Sequence, residues 1–428
     1  MRFIFGLLVV PFLLVDLWGA GAIINYVNPM SPDGGTGLER SIDPANPNRS
    51  YRWLKHWETQ NLNLVALGSS MTVICWSTQT EMDTTIPFEV RYDTSPVSIS
   101  GWTTSATNTI TIMPDDFSAH LGTMTGHGYK LVPTNINGNP ISFSDGYWYV
   151  NGLTIMSSGT NAAAFPAMVN IGAMEANTTG YLLNNIIGMS CDGDETVCRG
   201  LWGGNANVKT VIAQNNLFFM PSYQHFNFSS GEKLYQNGSA GFPICVGGDT
   251  AGATFNFYNN TCANGWYQGV NNTGIVVVAK NNIIQNTSNN SFAGCSAGSF
   301  NNVGDDATTC GDNTITNAAV SFANAAQSDW HLANNDTVAQ GKCVSLSTDS
   351  AYASLFDYEG GTRTASAGLT AWDCGCDEVG TNRATVAAAG GGGGDPGPPA
   401  GNSGESTYKD YIIQSRRYEE SFGRPVNR

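Results

Sequence analysis

Residues 183–187 read Leu183-Asn184-Asn185-Ile186-Ile187, an asparagine pair set between apolar residues. The same arrangement recurs along the middle of the chain, with first asparagines at positions 151, 184, 215, 259 and 281, and with glycine completing the first pair. Self-similarity at spacings of roughly 20–40 residues is typical of a solenoid whose coils carry insertions on one side. The sequence therefore predicts stacked coils, one for each of these segments.

Asparagine suits the bend between two strands because it tolerates a left-handed backbone and hydrogen-bonds locally. In stacked coils the bends align, so each asparagine amide can bond to the next one in a ladder. The β-branched and aromatic residues beside each pair are expected to fill a continuous core. The predicted ladder residues are Asn151, Asn184, Asn185, Asn215, Asn216, Asn259, Asn260, Asn281 and Asn282.

Low charge and abundant glycine indicate the fold class. Charged residues make up 12% of the 428-residue chain, 50 residues are glycine, and strong helix formers are scarce. This composition fits an all-β protein and fits a helical enzyme poorly. The formal net charge of −15 repels phosphate backbones, so we expect no nucleic-acid partner.

The N-terminus combines one basic residue with a short apolar run over residues 3–15 and small residues near position 22. This pattern is typical of a secretory signal, and a retained anchor or a buried strand are the alternatives. We expect residues 1–22 to be a signal peptide or hydrophobic anchor. A membrane would then be contacted only through residues 3–15, if they stay uncleaved.

A short amphipathic helix is predicted from Ser50 to Glu58, with Ser50 as N-cap and Trp53, Leu54 and Trp57 on one face. Such a helix caps the open end of a solenoid. The C-terminal tail is read either as a docking segment or as a disordered end. The predicted domains are an extended entry segment over 23–50, a β-helix over 51–380, a Gly/Pro-rich linker over 388–406 and an amphipathic tail over 407–428.

An even number of cysteines, ten, fits disulfide bonds in an oxidising compartment. Cys191 with Cys198, and Cys295 with Cys310, bracket short loops and are the predicted local pairs. The 374–376 segment, Cys-Gly-Cys, lacks the spacing of a zinc site, and no histidine cluster accompanies it. No metal site is predicted from the cysteines.

Asparagines in N-x-S/T sequons are candidate glycosylation sites if the chain is secreted. In a chain this rich in Asn, Ser and Thr, many sequons also arise by chance. The candidates are Asn48, Asn177, Asn227, Asn237, Asn271 and Asn286.

Besides the asparagine coils, four stretches of the chain have a recognisable pattern: residues 97–104, 126–133, 329–332 and 357–378. Together they resemble the right-handed parallel β-helix proteins of the pectin-lyase-like fold, in particular their uncharacterised secreted and phage-associated members. The resemblance covers about residues 45–380 and implies a single all-β solenoid. This fold hosts lyases, hydrolases, adhesins and phage spikes, so the resemblance implies the fold more than the activity.

The catalytic signatures of this fold are largely missing. Hydrolases of the resembling family carry Asn-Thr-Asp, Asp-Asp, Gly-His-Gly and Arg-Ile-Lys in that order. Here Gly-His-Gly is present at 126–128, ahead of the coils, but no Asn-Thr-Asp precedes it and no Arg-Ile-Lys follows it. Lyases on this fold use calcium held by carboxylates and a basic residue. Asp192 and Asp194 with Arg199 are the candidate calcium and catalytic set, and a solvated turn closed by Cys191 and Cys198 is the alternative.

Aromatic residues follow the asparagine bends in several segments. Trp202, Tyr223, His225, Trp266 and Tyr267 are expected to emerge on one edge of successive coils, where they can stack against sugar rings. The alternative is that these rings cover their own loops or pack against a partner subunit.

The rigid scaffold and the missing catalytic series predict a non-catalytic structural or adhesive protein, secreted and placed on a cell or virion surface. The expected partners are further copies of the chain, in an oligomer, filament or virion appendage, and a polysaccharide or surface glycan. The alternative is a secreted polysaccharide lyase or glycoside hydrolase, with calcium as its cofactor.

Overall fold

Within the residues described below, the fold consists of three parallel β-sheets, two short helices and a C-terminal hairpin. No helix among the residues described below is long and apolar enough to cross a membrane. The predicted signal, except residue 22, and the predicted linker and tail lie outside those residues. The computed structural model describes residues 22–77, 92–115, 120, 129–133, 139–157, 167–189, 199–204, 207, 209–220, 244–248, 251–264, 266–325, 329–352, 357–359, 363 and 371–379.

Sheet 1 has eight strands and runs the length of the solenoid. Strands are numbered in chain order. Its strands are β1 (Ile23–Val27), β2 (Met71–Cys75), β4 (Ile110–Pro114), β7 (Trp148–Asn151), β10 (Thr179–Leu183), β13 (Lys209–Gln214), β16 (Ala253–Tyr258) and β19 (Val276–Lys280).

Sheets 2 and 3 have seven strands each, again parallel. Sheet 2 contains β5 (Lys130–Leu131), β8 (Thr154–Ser157), β11 (Ile186–Met189), β14 (Leu217–Phe219), β17 (Thr261–Ala263), β20 (Ile283–Gln285) and β22 (Val303–Gly304). Sheet 3 contains β3 (Val97–Ile99), β6 (Ile141–Phe143), β9 (Ala167–Asn170), β12 (Arg199–Gly203), β15 (Ile244–Gly248), β18 (Gln268–Val270) and β21 (Asn290–Phe292).

Each full coil passes from sheet 1 through a bend to sheet 2, then to sheet 3 and back to sheet 1; in the coil of β10, β11, β12 and β13 the bend is an asparagine pair. This is a parallel β-helix, as the repeat predicts. Inward side chains stack in columns and form one continuous core. The Trp148 ring lies in that core, and Gly180 stands beside it on the next coil because a Cβ there would come within 2.2 Å of the ring.

The two asparagines of a pair have different roles. The first takes a left-handed backbone, with φ of 54° at Asn184 and 55° at Asn215. The second points inward, fully buried, and its Nδ2 donates to the Oδ1 of the next one: Asn185 to Asn216 at 2.9 Å, and Asn216 to Asn260 at 2.9 Å. The ladder continues through Asn282 to Asn302, with donor–acceptor distances of 3.2 Å and 2.8 Å.

Asn151 does not occupy the position predicted for it. It aligns with Leu183 rather than with Asn184, so the left-handed bend of its coil falls on Gly152, with φ of 75°. Its Oδ1 accepts a hydrogen bond from Asn184 Nδ2 at 2.9 Å, outside the buried ladder. The Asn301-Asn302 pair, in contrast, belongs to the pattern and was not among the predicted residues.

The N-terminal end differs from the prediction in several details. Strand β1 lies within the segment predicted as an extended entry, and it pairs with β2, so sheet 1 begins at Ile23. Helix α1 spans Leu54–Glu58 and a second helix, α2, spans Leu64–Leu67. Ser50 does not cap α1, because its buried hydroxyl accepts a hydrogen bond from the Trp76 indole instead. The buried Trp57 ring stacks on Trp102 at 5.0 Å, which seats α1 on the solenoid.

The C-terminal segment, residues 315–352, 357–359, 363 and 371–379, folds back along the solenoid. It contains a two-stranded antiparallel hairpin, β23 (Phe322–Asn324) and β24 (Asp329–Leu332). Trp330 and Tyr358 from this segment pack with Leu217 and Phe219 on the outer face of sheet 2. That face of the sheet is therefore covered by the chain itself.

Three disulfides lie among the described residues. They join Cys295 to Cys310, Cys245 to Cys262, and Cys343 to Cys374. Cys75 and Cys376 are buried and free. Cys191 and Cys198 lie outside the described residues. Disulfides of this number indicate an extracellular or otherwise oxidising compartment.

Candidate functional site

The aromatic residues predicted to bind sugars do not form an exposed row. Trp266 is fully buried in the central core, so the exposed position predicted for it is wrong. Trp202 lies within β12 rather than on a loop; it is 7% exposed, and the Arg199 guanidinium lies 3.5 Å from its ring centre. Tyr267 is half-buried. Tyr223 and His225 lie outside the described residues.

Of the predicted calcium and catalytic set, the structure describes only Arg199. Asp192 and Asp194 lie outside the described residues, as does the Gly-His-Gly at 126–128. Arg199, the basic member of the set, belongs to β12 and stacks on Trp202. Calcium binding at this loop stays a prediction.

The predicted glycosylation sites differ in accessibility. Asn177 and Asn286 are exposed at left-handed turns, whereas Asn48 and Asn271 are half-buried. The Asn271 amide already donates to Gln268 at 2.9 Å. Asn227 and Asn237 lie outside the described residues, and glycosylation stays a prediction throughout.

The C-terminal segment leaves the outer surface of sheet 1 partly uncovered. Over four successive coils the outward side chains stand in three columns, and the segment contacts the column that contains Gln214, Tyr258 and Lys280. The other two columns are uncharged, and all their side chains except Ile212 are half-buried or exposed. We call these eight residues the open face. They are Thr179, Thr210, Thr254 and Val276 in one column and Tyr181, Ile212, Asn256 and Val278 in the other.

The open face is regular because each strand pairs in register with the next. Its columns extend over three steps of about 4.8 Å, or about 14 Å. The Tyr181 ring continues the second column by stacking on Tyr149 of the preceding coil, with ring centres 4.3 Å apart and an interplanar angle of 2°. Hydroxyl and amide groups thus alternate with apolar surface, as in sites that bind sugars.

The C-terminal segment occupies the neighbouring edge, along the asparagine bends. The buried Arg363 donates from Nε to Asn215 Oδ1 at 3.1 Å and forms an ion pair with Glu378 at 3.2 Å. One coil further on, Asn259 Nδ2 donates to the Tyr352 hydroxyl at 2.9 Å. The first asparagines therefore anchor the segment, and no groove remains along the described bends.

Within this segment lies a cluster of one histidine and several carboxylates. His331 is 3% exposed, and its Nδ1 and Nε2 hydrogen-bond to Asp329 and Glu359. Asp377 accepts a hydrogen bond at Oδ2 from the Leu332 backbone, 2.7 Å away. The ligand atoms of His331, Glu359 and Asp377 all lie within 4.8 Å of one another.

Three parts of the chain hold the cluster in place. Strand β24 carries Asp329 and His331 on the same side, since residues two apart on a strand point the same way. The Tyr358 backbone N–H donates to the Cys376 carbonyl at 3.0 Å, which aligns Glu359 with Asp377. The two-residue spacing of Asp329 and His331 on a strand is a signal that the sequence alone contains. No comparable signal in the sequence marks Glu359.

The electrostatics of the cluster are unusual for a buried site. Burial opposes the charge on His331, but hydrogen bonds to Asp329 and Glu359 outweigh burial and raise its pKa to about 9. Burial raises the pKa of Asp377 to about 7, although the charge on His331 opposes this. The nearby His120 is shifted the other way, because burial lowers its pKa to about 4. The cluster can therefore hold and exchange protons near neutral pH.

Comparison with known proteins adds little beyond the fold. No family model matches the sequence, and no curated protein matches it. Among solved structures, the crystal structure of pectate lyase Pel9A is similar, with 13% identity over 84% of this chain and 96% of that chain and a TM-score of 0.30. The chain has a parallel β-helix architecture. This assignment rests on the three stacked parallel sheets, and the likeness to Pel9A is too low to bear on activity.

Proposed function

We propose that the protein is an extracellular polysaccharide-binding β-helix whose sugar chain lies along the open face. The observation that carries this proposal is the pair of uncharged columns on sheet 1, which combine threonine hydroxyls and an asparagine amide with apolar surface. The rung spacing of about 4.8 Å is comparable to the length of one hexose unit in an extended chain, so successive coils can contact successive sugars.

The charge of the chain favours a neutral polysaccharide over a polyuronate. The net charge of −15 repels an anionic chain unless cations bridge the two. The ionic group at the end of this sheet, Lys280, pairs with Asp349. Membership of a filament or virion appendage has no support in these contacts and stays a prediction.

The test is a binding assay against neutral glucans, xylans, chitin oligomers and polyuronates. Thr254→Glu places a charge in the centre of the open face, and Thr273→Glu makes the same change at an exposed turn off the face. We expect binding of a neutral polysaccharide that weakens at least tenfold in Thr254→Glu and is unchanged in Thr273→Glu. Equal affinity in both variants, or binding of no glycan, would contradict the proposal.

Polysaccharide cleavage is the second candidate, and the histidine–carboxylate cluster favours it. Asp329 and Glu359 are 29% and 15% exposed, so part of the cluster reaches solvent on either side of His331. Carboxyl groups near an imidazole can supply a general acid and base. Release of new chain ends, measured with and without calcium, should fall at least a hundredfold in Glu359→Gln if this candidate is right. Binding with no release excludes it for the glycans tested.

A further inference from the structure

We propose that His331, Glu359 and Asp377 bind a divalent cation of the zinc class. Zinc bonds to histidine nitrogen and carboxylate oxygen are about 2.0–2.2 Å long, so ligands around one ion lie about 3–4 Å apart. The three ligand atoms here already lie within 4.8 Å of one another. A shift of under about 1 Å would close them on an ion.

A carboxylate oxygen without a partner points to the same conclusion. Asp377 is 5% exposed, and its Oδ2 accepts the Leu332 N–H, whereas its Oδ1 accepts no hydrogen bond within the part of the chain that the structure describes. Charged carboxylates in a largely buried cluster are costly unless they are paired or bind a metal. A bound cation would satisfy this oxygen and offset the charge of the surrounding carboxylates.

Asp329 completes the arrangement as a positioning residue. It hydrogen-bonds to His331 Nδ1 and so directs Nε2 toward Glu359. Histidines that bind metals usually donate their other ring N–H to a carboxylate in this way, which fixes the orientation of the ring. The ion would take the place of the hydrogen bond between His331 and Glu359.

The donor set selects among cations. One nitrogen and two carboxylates suit zinc, whereas calcium takes six to eight oxygen ligands at longer distances. Three protein ligands also leave one tetrahedral position for water. The bound ion would tie the hairpin to the 357–359 and 376–377 segments, and so hold the C-terminal segment on sheet 2. This inference is independent of polysaccharide binding on the open face.

The test is calorimetric titration of the EDTA-treated full chain with zinc sulfate alone, and with calcium chloride alone in parallel. We expect one zinc per chain with a dissociation constant at or below about 1 µM, which corresponds to about −8 kcal/mol. Calcium should bind at least a hundredfold more weakly. His331→Gln and Glu359→Gln should each weaken zinc binding at least a hundredfold, and Asp329→Asn about 10–100-fold.

The matched control is His56→Gln. His56 lies 3.7 Å from Asp33 in an exposed pair at the N-terminal cap, so its loss should leave zinc binding unchanged. Circular dichroism separates loss of zinc binding from loss of folding. If the ligand variants unfold, Asp329→Asn still tests the proposal, because it leaves His331, Glu359 and Asp377 in place. Zinc binding that is absent in the wild type, equal in His331→Gln, or lost in His56→Gln would overturn the proposal.

Discussion

Asn216 lies in the middle of the buried ladder, and its loss should destabilise the solenoid sharply. Its Oδ1 accepts hydrogen bonds from the Asn185 backbone N–H and Nδ2, both at 2.9 Å. Its Nδ2 donates to the Leu182 carbonyl at 2.8 Å and to Asn260 Oδ1 at 2.9 Å. The substitution Asn216→Ala removes all four bonds from a fully buried site.

The magnitude follows from which groups are left without a partner. The Asn185 backbone N–H loses its side-chain acceptor, and an unsatisfied buried donor costs about 1–3 kcal/mol. Asn185 Nδ2 keeps its bond to the Val150 carbonyl, and Asn260 Oδ1 keeps the Asn216 backbone N–H, so these two groups are only weakened. Adding about 1 kcal/mol for the weakened bonds gives a loss of about 3 kcal/mol in the free energy of unfolding.

Two measurements test this value. Urea unfolding should show a lower midpoint for Asn216→Ala, and hydrogen exchange followed by mass spectrometry should show the peptide around residues 183–187 exchanging about a hundredfold faster. Asn335→Ala is the matched control at an exposed position, where we expect a change within about 0.5 kcal/mol. If both variants lose the same small amount, the ladder does not stabilise the coils in the way argued.

The remaining predictions concern the bend, a buried acid and a disulfide. Asn215→Gly keeps the left-handed backbone and should be about 1 kcal/mol more stable than Asn215→Ala in thermal unfolding, while both lose the bond from Arg363. Burial raises the pKa of Asp93 to about 6. The free energy of unfolding therefore falls as pH rises from about 4 through 6, because the unfolded state loses the Asp93 proton first. Asp93→Asn should therefore gain about 3 kcal/mol relative to wild type between pH 4 and 7 in urea titrations, and a constant difference would contradict this. Replacing Cys343 and Cys374 with serine should cost about 3–4 kcal/mol of unfolding free energy, with reduction of the wild type as the comparison.

The sequence is sufficient to predict the coils because their cause is local and repeated. The bend between sheets 1 and 2 needs a left-handed residue, and the buried position behind it needs a donor and an acceptor, so asparagine pairs recur at these bends. The same logic applies to Asn301 and Asn302, where the first residue is left-handed and the second accepts the hydrogen bond from Asn282. Which residue of a segment adopts the left-handed conformation is harder to predict, because glycine can replace asparagine there, as Gly152 does.

The candidate site could not be predicted in the same way. Arg363 reaches Asn215 across 148 residues of sequence, and no period marks that contact. The burial of Trp266 depends on the space between coils, which neighbouring residues in the sequence do not indicate. Asp329 and His331 carry a local signal through their spacing, but Glu359 and Asp377 join them only because the C-terminal segment folds back on sheet 2.

The asparagine pair connects the scaffold to the cluster, because its two members face opposite sides of the bend. The second asparagine supports the core and the first binds the C-terminal segment, as Asn215 does with Arg363. His120 extends this link, since its Nε2 hydrogen-bonds to the Asn184 carbonyl at 2.7 Å and its ring lies 6.0 Å from Tyr358. A change at a bend should therefore displace the cluster while the ladder stays intact. Loss of zinc binding in Asn215→Gly, with normal exchange at the ladder amides, would demonstrate this coupling, and unchanged zinc affinity would refute it.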